Sequence, residues 1–71
     1  MYMNLQAEML RRNIKREDLA KFLGIRASSI SNKINGKHYF KFNEAMEIKN
    51  EFFPELTLDY LFELSEIEKN K

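Results

Sequence analysis

The segment from Ala27 to Asn35 carries the most informative chemistry of the 71-residue chain. Its two large apolar side chains, Ile30 and Ile34, lie four residues apart and would share one face of a helix. The other side chains are mostly serine, asparagine and alanine. A helix with few large side chains can enter a major groove about 12 Å wide, where small donors and acceptors can form hydrogen bonds with the edges of base pairs. The alternative is a polar surface helix of a bundle, although such helices usually have a wider apolar stripe.

The helical spacing of apolar residues predicts the elements that position this segment. The predicted helices are Met3–Arg12, Arg16–Leu23, Ala27–Asn35, Asn43–Phe53 and Leu58–Leu64. Only three residues separate the second helix from the third, and Gly24 among them can adopt the left-handed conformation that ends a helix. A connection this short predicts a helix-turn-helix. We therefore expect one domain at residues 1–64, an all-α fold in the form of a compact bundle of about five short helices. A charged C-terminal tail at 65–71 is expected to fray.

The charges are unevenly distributed, although the net charge is only +1. Residues 11–41 contain nine Lys or Arg and two acids, a balance of +7, whereas residues 42–71 contain three lysines and eight acids, a balance of −5. Such a split predicts one basic face that meets a polyanion. Charges that only solvate the helix surfaces are the alternative.

Composition excludes several other classes of site. The chain has no cysteine, which removes disulfides, thiolate metal ligands and cysteine nucleophiles. Its one histidine, His38, has no adjacent acid or nucleophile, so we expect an exposed loop residue and no enzyme, cofactor or metal site. Apolar runs are too short to cross a bilayer, and no signal-peptide pattern opens the chain. The sequence therefore predicts a cytoplasmic protein with no membrane partner.

The stretch from Arg16 to Lys37 resembles the helix-turn-helix of the Cro and repressor family, the XRE-like group of phage and bacterial regulators. The matching positions are Leu19-Ala20, Leu23-Gly24-Ile25, Ser29-Ile30-Ser31 and Asn35-Gly36-Lys37. Residues 42–48, 53–54 and 58–62 also resemble phage-type members from Gram-positive hosts. The resemblance covers about Leu5–Phe62. It implies a five-helix, lambda-repressor-like DNA-binding domain that binds operator DNA, usually as a homodimer on a pseudo-palindromic site.

The resemblance also implies which residues contact DNA. Base contacts fall on Ala27, Ser28 and Asn32, where alanine can touch a thymine methyl group and asparagine can pair bidentately with adenine. Contacts to the DNA backbone fall on Arg16, Arg26, Asn35 and Lys37. Second-rank candidates are Ser31 and Lys33, expected on the exposed side of the helix, and Tyr39 in the loop that follows.

Two features depart from the family pattern. Lys15 and Arg26 stand where the family usually has a Ser or Thr helix cap, and Lys41 repeats the exchange before the fourth helix. A lost hydroxyl cap costs about 0.5–2 kcal/mol; our hypothesis is that the cations are kept because they meet DNA phosphates. Lys33 and Ile34 stand where the family often has a large apolar residue and Glu. We therefore expect this helix to be rotated slightly relative to the family pattern, which leaves open whether Asn32 or Lys33 faces the groove.

The sequence thus predicts a sequence-specific double-stranded DNA-binding regulator of the phage or prophage Cro/repressor type. The alternative is a protein-interaction module, either an antirepressor or modulator of a larger repressor, or an antitoxin. The acidic C-terminal half, with Phe53, Tyr60 and Phe62, could serve as that surface, as a dimer surface or as part of the core. Phe40 and Phe42 are expected to fold under their loop as core residues.

Overall fold

The spacing of apolar residues along the chain produces a fold made of helices. A computed structural model describes residues 2–64 and contains five helices within them. They are α1 (Met3–Arg11), α2 (Arg16–Leu23), α3 (Ala27–Ile34), α4 (Phe42–Phe52) and α5 (Leu58–Leu61). No strand occurs in this described part. The predicted all-α class is therefore confirmed, whereas the predicted tail at 65–71 lies outside the described residues.

The helix ends differ from the predicted ones by zero to three residues. α2 has the predicted bounds, α3 ends one residue early at Ile34, and α4 begins and ends one residue early. The largest error is at α5, which ends at Leu61 rather than Leu64. There the chain leaves the helix at Phe62, whose ring packs edge-on against Tyr2 at 5.7 Å between ring centroids.

Gly24 ends α2 and fixes the short connection to α3. It has a φ of +73°, a left-handed conformation that side chains with a Cβ adopt at a cost. The amides of Gly24 and Ile25 both donate to the Ala20 carbonyl, at 2.8 and 3.0 Å. These bonds satisfy a carbonyl that the end of the helix would otherwise leave without a donor.

The core receives side chains from all five helices. Ile30 and Ile34, the narrow apolar stripe of α3, are fully buried as predicted. The largest fully buried side chains are Leu5, Leu19, Ile30, Ile34, Ile48, Phe53 and Leu61. The core therefore holds α3 by the side that carries Ile30 and Ile34.

A buried carboxylate, that of Glu8, joins α1 to α5. The Tyr60 hydroxyl donates to Glu8 Oε2 at 2.8 Å, and Arg11 Nη1 lies 2.9 Å from the same oxygen. The hydrogen bond to Glu8 raises the pKa of the Tyr60 hydroxyl, because the carboxylate stabilises its protonated form. These contacts hold α5 against α1, and the sequence did not reveal them.

None of the helices within residues 2–64 is both long enough and apolar enough to cross a membrane. No three acidic or histidine side chains among these residues come together as potential metal ligands. His38 is exposed, as expected for a loop histidine.

Candidate functional site

The surface of α3 that faces away from the core carries the polar residues singled out in the sequence. Because successive residues turn by about 100°, Ser28, Asn32 and Asn35 lie opposite the buried Ile30 and Ile34. Ser28 and Asn35 are exposed, and Asn32 is partly exposed. Ala27, the first residue of α3, is exposed as well. The structure therefore places Ser28 and Asn32 on the open side of this helix, whereas Ala27 follows the side of Ile30 and Ile34 and is exposed at the start of the helix.

Ser31 and Lys33 lie on the two flanks of α3 and are both partly buried. Ser31 has the same intermediate burial as Asn32, whereas Lys33 is less open than a residue on the exposed side would be. The side chain of Lys33 is only 15% exposed, its Nζ lies 3.1 Å from Glu44 Oε1, and the same nitrogen stands 5.8 Å from the centre of the Phe40 ring. Its charge is used within the fold, so Asn32 rather than Lys33 occupies the outward position.

Glu44 holds Lys33 and also caps α4. Burial opposes ionisation of Glu44 and is the largest single influence on it. A hydrogen bond from the Lys41 amide at 3.0 Å and the Lys33 ammonium together outweigh burial, so the pKa of Glu44 lies below its usual 4.5. Glu44 is therefore ionised at neutral pH, when it fixes both Lys33 and the start of α4.

The N-terminus of α3 lacks the acidic cap that its neighbours have. α2 and α4 each follow a lysine. Asp18 and Glu44, at the third position of α2 and α4, accept a hydrogen bond from the backbone amide of that lysine. α3 has Ser29 at that position, no acid in its first turn and no side-chain cap on its first amides. Arg26 precedes it and is exposed. The positive end of the α3 dipole and a cation therefore stand together without an acid. The capping-box spacing of Asp18 and Glu44 is visible in the sequence and could have revealed them.

Arg16 links the start of α2 to the middle of α3. Its Nη1 donates to Ser31 Oγ at 3.0 Å, and the contact is partly buried. This bond brings together two residues that the sequence had singled out separately. Ser31 is thereby occupied in positioning the guanidinium of Arg16 beside α3.

The chain beyond α3 turns back toward the same surface. The Asn35 amide donates to the Ser31 carbonyl at 2.9 Å, and the Lys37 amide donates to the Asn32 carbonyl at 2.9 Å. Gly36, between them, has a φ of +92°, which allows this tight reversal. The exposed side chain of Lys37 therefore emerges next to the outward face of α3.

The fold separates the cations of residues 11–41 into those that form ion pairs and those that do not. Glu8 pairs with Arg11, Glu55 pairs with Arg12, and Glu44 pairs with Lys33. Five exposed cations make no ion pair within residues 2–64: Lys15, Lys21, Arg26, Lys37 and Lys41. About half of the positive charge in residues 11–41 is therefore available to an external anion.

Two aromatic side chains that follow α3 are open to solvent, one in the loop and one at the first position of α4. Tyr39 is 69% exposed and Phe42 is 73% exposed. The prediction that Phe42 belongs to the core is wrong, because Phe40 already occupies the space against Tyr2, at 5.3 Å between ring centroids. Phe40 itself is partly buried against the core, in line with the prediction.

Comparisons with known proteins add no relatives to these observations. No protein-family model, no curated protein and no solved structure matches the chain. The function is therefore inferred from the positions and charges of the residues themselves.

Proposed function

We propose that the chain is a sequence-specific regulator that binds double-stranded DNA, with α2 and α3 as a helix-turn-helix of the lambda-repressor-like kind. The observation that carries the proposal is the outward face of α3. It presents small hydrogen-bonding side chains, Ser28 and Asn32, on a helix whose N-terminus has an exposed cation and no acid. Such a surface meets both requirements of duplex recognition, which are contacts to base edges and contacts to phosphates.

α3 is suited in size to a major groove. Its eight residues span about 12 Å, and none of its outward side chains is longer than asparagine. Asn32 would pair bidentately with adenine, Ser28 would bond either a donor or an acceptor, and Ala27 would contact a thymine methyl group. The recognition surface is thus small and mostly neutral.

Affinity in this proposal comes from residues around α3. Arg16, held by Ser31, and the exposed Arg26, Asn35 and Lys37 would contact phosphates and fix the register of α3 on the duplex. Lys33 is left out because Glu44 neutralises it.

Selection of bound sites from random duplexes tests the proposal. A homodimer on a pseudo-palindromic operator predicts two enriched half-sites about one helical turn, roughly 10 bp, apart. Affinity for the selected site should fall with salt, with a log–log slope of about −0.9 for each phosphate contacted. Absence of enrichment and of duplex binding at every salt concentration would reject DNA binding, and would favour an antirepressor or antitoxin that acts through protein contacts.

Arg26→Ser should raise stability and weaken DNA binding at the same time. A serine at this position can cap α3, which we expect to raise the free energy of unfolding by about 0.5–2 kcal/mol. Loss of one phosphate contact should reduce the steepness of the salt dependence by about 0.9. Urea denaturation and fluorescence anisotropy with the selected duplex measure the two effects.

Two further variants at Arg26 separate the cap from the charge. Arg26→Ala removes the cation without supplying a cap, so affinity should fall with no gain in stability. Arg26→Lys keeps a cation and should keep most of the salt dependence. Unchanged affinity in both Arg26→Ser and Arg26→Ala would show that this cation does not meet a phosphate.

A further inference from the structure

The segment at residues 37–42, which we call the aromatic loop, ends at the first residue of α4 and combines two exposed rings with two exposed cations. The rings belong to Tyr39 and Phe42, which are among the most exposed large apolar side chains of residues 2–64. Lys37 and Lys41 are exposed beside them and make no ion pair within the same residues. Binding at α3 as proposed above uses only Lys37 of these four.

The aromatic loop is held in place from within. The Phe40 ring stacks edge-on against Tyr2 and Phe62, at 5.3 and 5.2 Å between ring centroids. At the next residue, the Lys41 amide donates to Glu44 Oε1 at 3.0 Å, and this bond caps the start of α4. Because these anchors fix the backbone at Phe40 and Lys41, between the two exposed rings, a ligand would have little of this stretch left to order.

The two ring-bearing residues are close enough along the chain for one short nucleic-acid strand to reach both. Tyr39 and Phe42 are three residues apart, so their Cα atoms lie at most about 11 Å apart. Stacked bases follow one another at about 3.4 Å along a strand, so this distance covers a few nucleotides. Exposed rings stack on unpaired bases, whose faces are free, whereas bases inside a duplex are already covered by their neighbours.

We propose that the aromatic loop is a second nucleic-acid site, which binds a single-stranded segment by stacking its bases on Tyr39 and Phe42 and pairing its phosphates with Lys37 and Lys41. The two lysines near the rings favour a ligand that carries negative charge, such as a nucleic-acid strand, over an uncharged apolar partner. A lipid surface fits less well, since binding to a membrane relies on a continuous apolar face and this loop offers two separate rings. Binding of a single strand would be an activity additional to the proposed binding of duplex DNA by α3.

A labelled oligothymidine of about 12 nucleotides is the probe, with oligouridine of the same length as the RNA arm. We expect the wild-type protein to bind oligothymidine. Tyr39→Ala and Phe42→Ala should each weaken the affinity roughly 5- to 150-fold, the effect of one lost stacking contact. Tyr39→Phe, which keeps the ring, should retain most of the affinity. Comparison of the two arms shows whether the strand is DNA, RNA or either.

Matched controls make the result specific. Leu10→Ala removes another exposed apolar side chain, on α1, and should not change binding of oligothymidine. Thermal unfolding of each variant checks that the fold is intact. Asn32→Ala should weaken binding to the selected duplex and leave oligothymidine binding in place, so failure of one site is distinguishable from failure of the other.

Three outcomes would overturn the proposal. They are no binding of either oligonucleotide by the folded wild-type protein, equal losses in Tyr39→Phe and Tyr39→Ala, and unchanged affinity in both alanine variants. Binding to anionic lipid vesicles that depends on the two rings, with no oligonucleotide binding, would assign the loop to a membrane surface instead.

Discussion

Replacing Ile34 with alanine is expected to lower the free energy of unfolding by about 2–5 kcal/mol. Ile34 is fully buried, and its carbonyl accepts the Tyr2 amide at 3.0 Å, so it joins α3 both to the core and to the start of the chain. Small domains are stable by about 0.05–0.15 kcal/mol per residue. The expected loss is therefore a large fraction of the stability of this domain, and urea denaturation followed by circular dichroism will measure it.

Leu10→Ala is the control for this change. Leu10 is 83% exposed, and surface substitutions of this kind usually alter stability by no more than about 0.5 kcal/mol. A loss for Ile34→Ala as small as that for Leu10→Ala would contradict the position of Ile34 in the core. It would also reopen the possibility that α3 turns a different face outward.

The sequence predicted α2 and α3 well because their signals are local. Gly24 ends α2 with its own backbone conformation, and Ile30 and Ile34 define a stripe that has only one orientation toward a core. The side of α3 that faces solvent follows from that stripe. Ser28 and Asn32 could therefore be placed on the outward surface from the sequence, whereas their contact with DNA stays a prediction.

The sequence could not predict features that depend on distant partners. Lys33 looks like a free surface cation until Glu44, eleven positions later, is placed beside it. Glu8 becomes a buried acid only because Tyr60, fifty-two positions away, donates to it. Phe42 is exposed, whereas Phe40 packs against Tyr2 at the edge of the core. In each case the burial or pairing of one side chain depends on a second side chain that the local spacing of residues does not identify.

Ser28→Ala combined with Asn32→Ala is expected to abolish most of the preference for the selected duplex. A bidentate contact of asparagine with adenine contributes about 1–3 kcal/mol of discrimination, and a neutral hydrogen bond from serine about 0.5–1.5 kcal/mol. The ratio of affinities for the selected and a scrambled duplex should therefore fall roughly 10- to 1,000-fold. Binding to the scrambled duplex should change little, because the phosphate-contacting cations remain.

Lys33→Ala provides the comparison that decides the orientation of α3. Since Lys33 pairs with Glu44 within the fold, its removal should lower stability by leaving a partly buried carboxylate without its cation. The preference for the selected duplex should stay as in the wild type. If Lys33→Ala removes the preference and the double variant keeps it, α3 meets the groove with its flank and the assignment of Asn32 is wrong. The two variants together test the orientation of α3 separately from the presence of DNA binding. The double variant should lose specificity for the selected duplex, whereas Lys33→Ala should lose stability and keep that specificity.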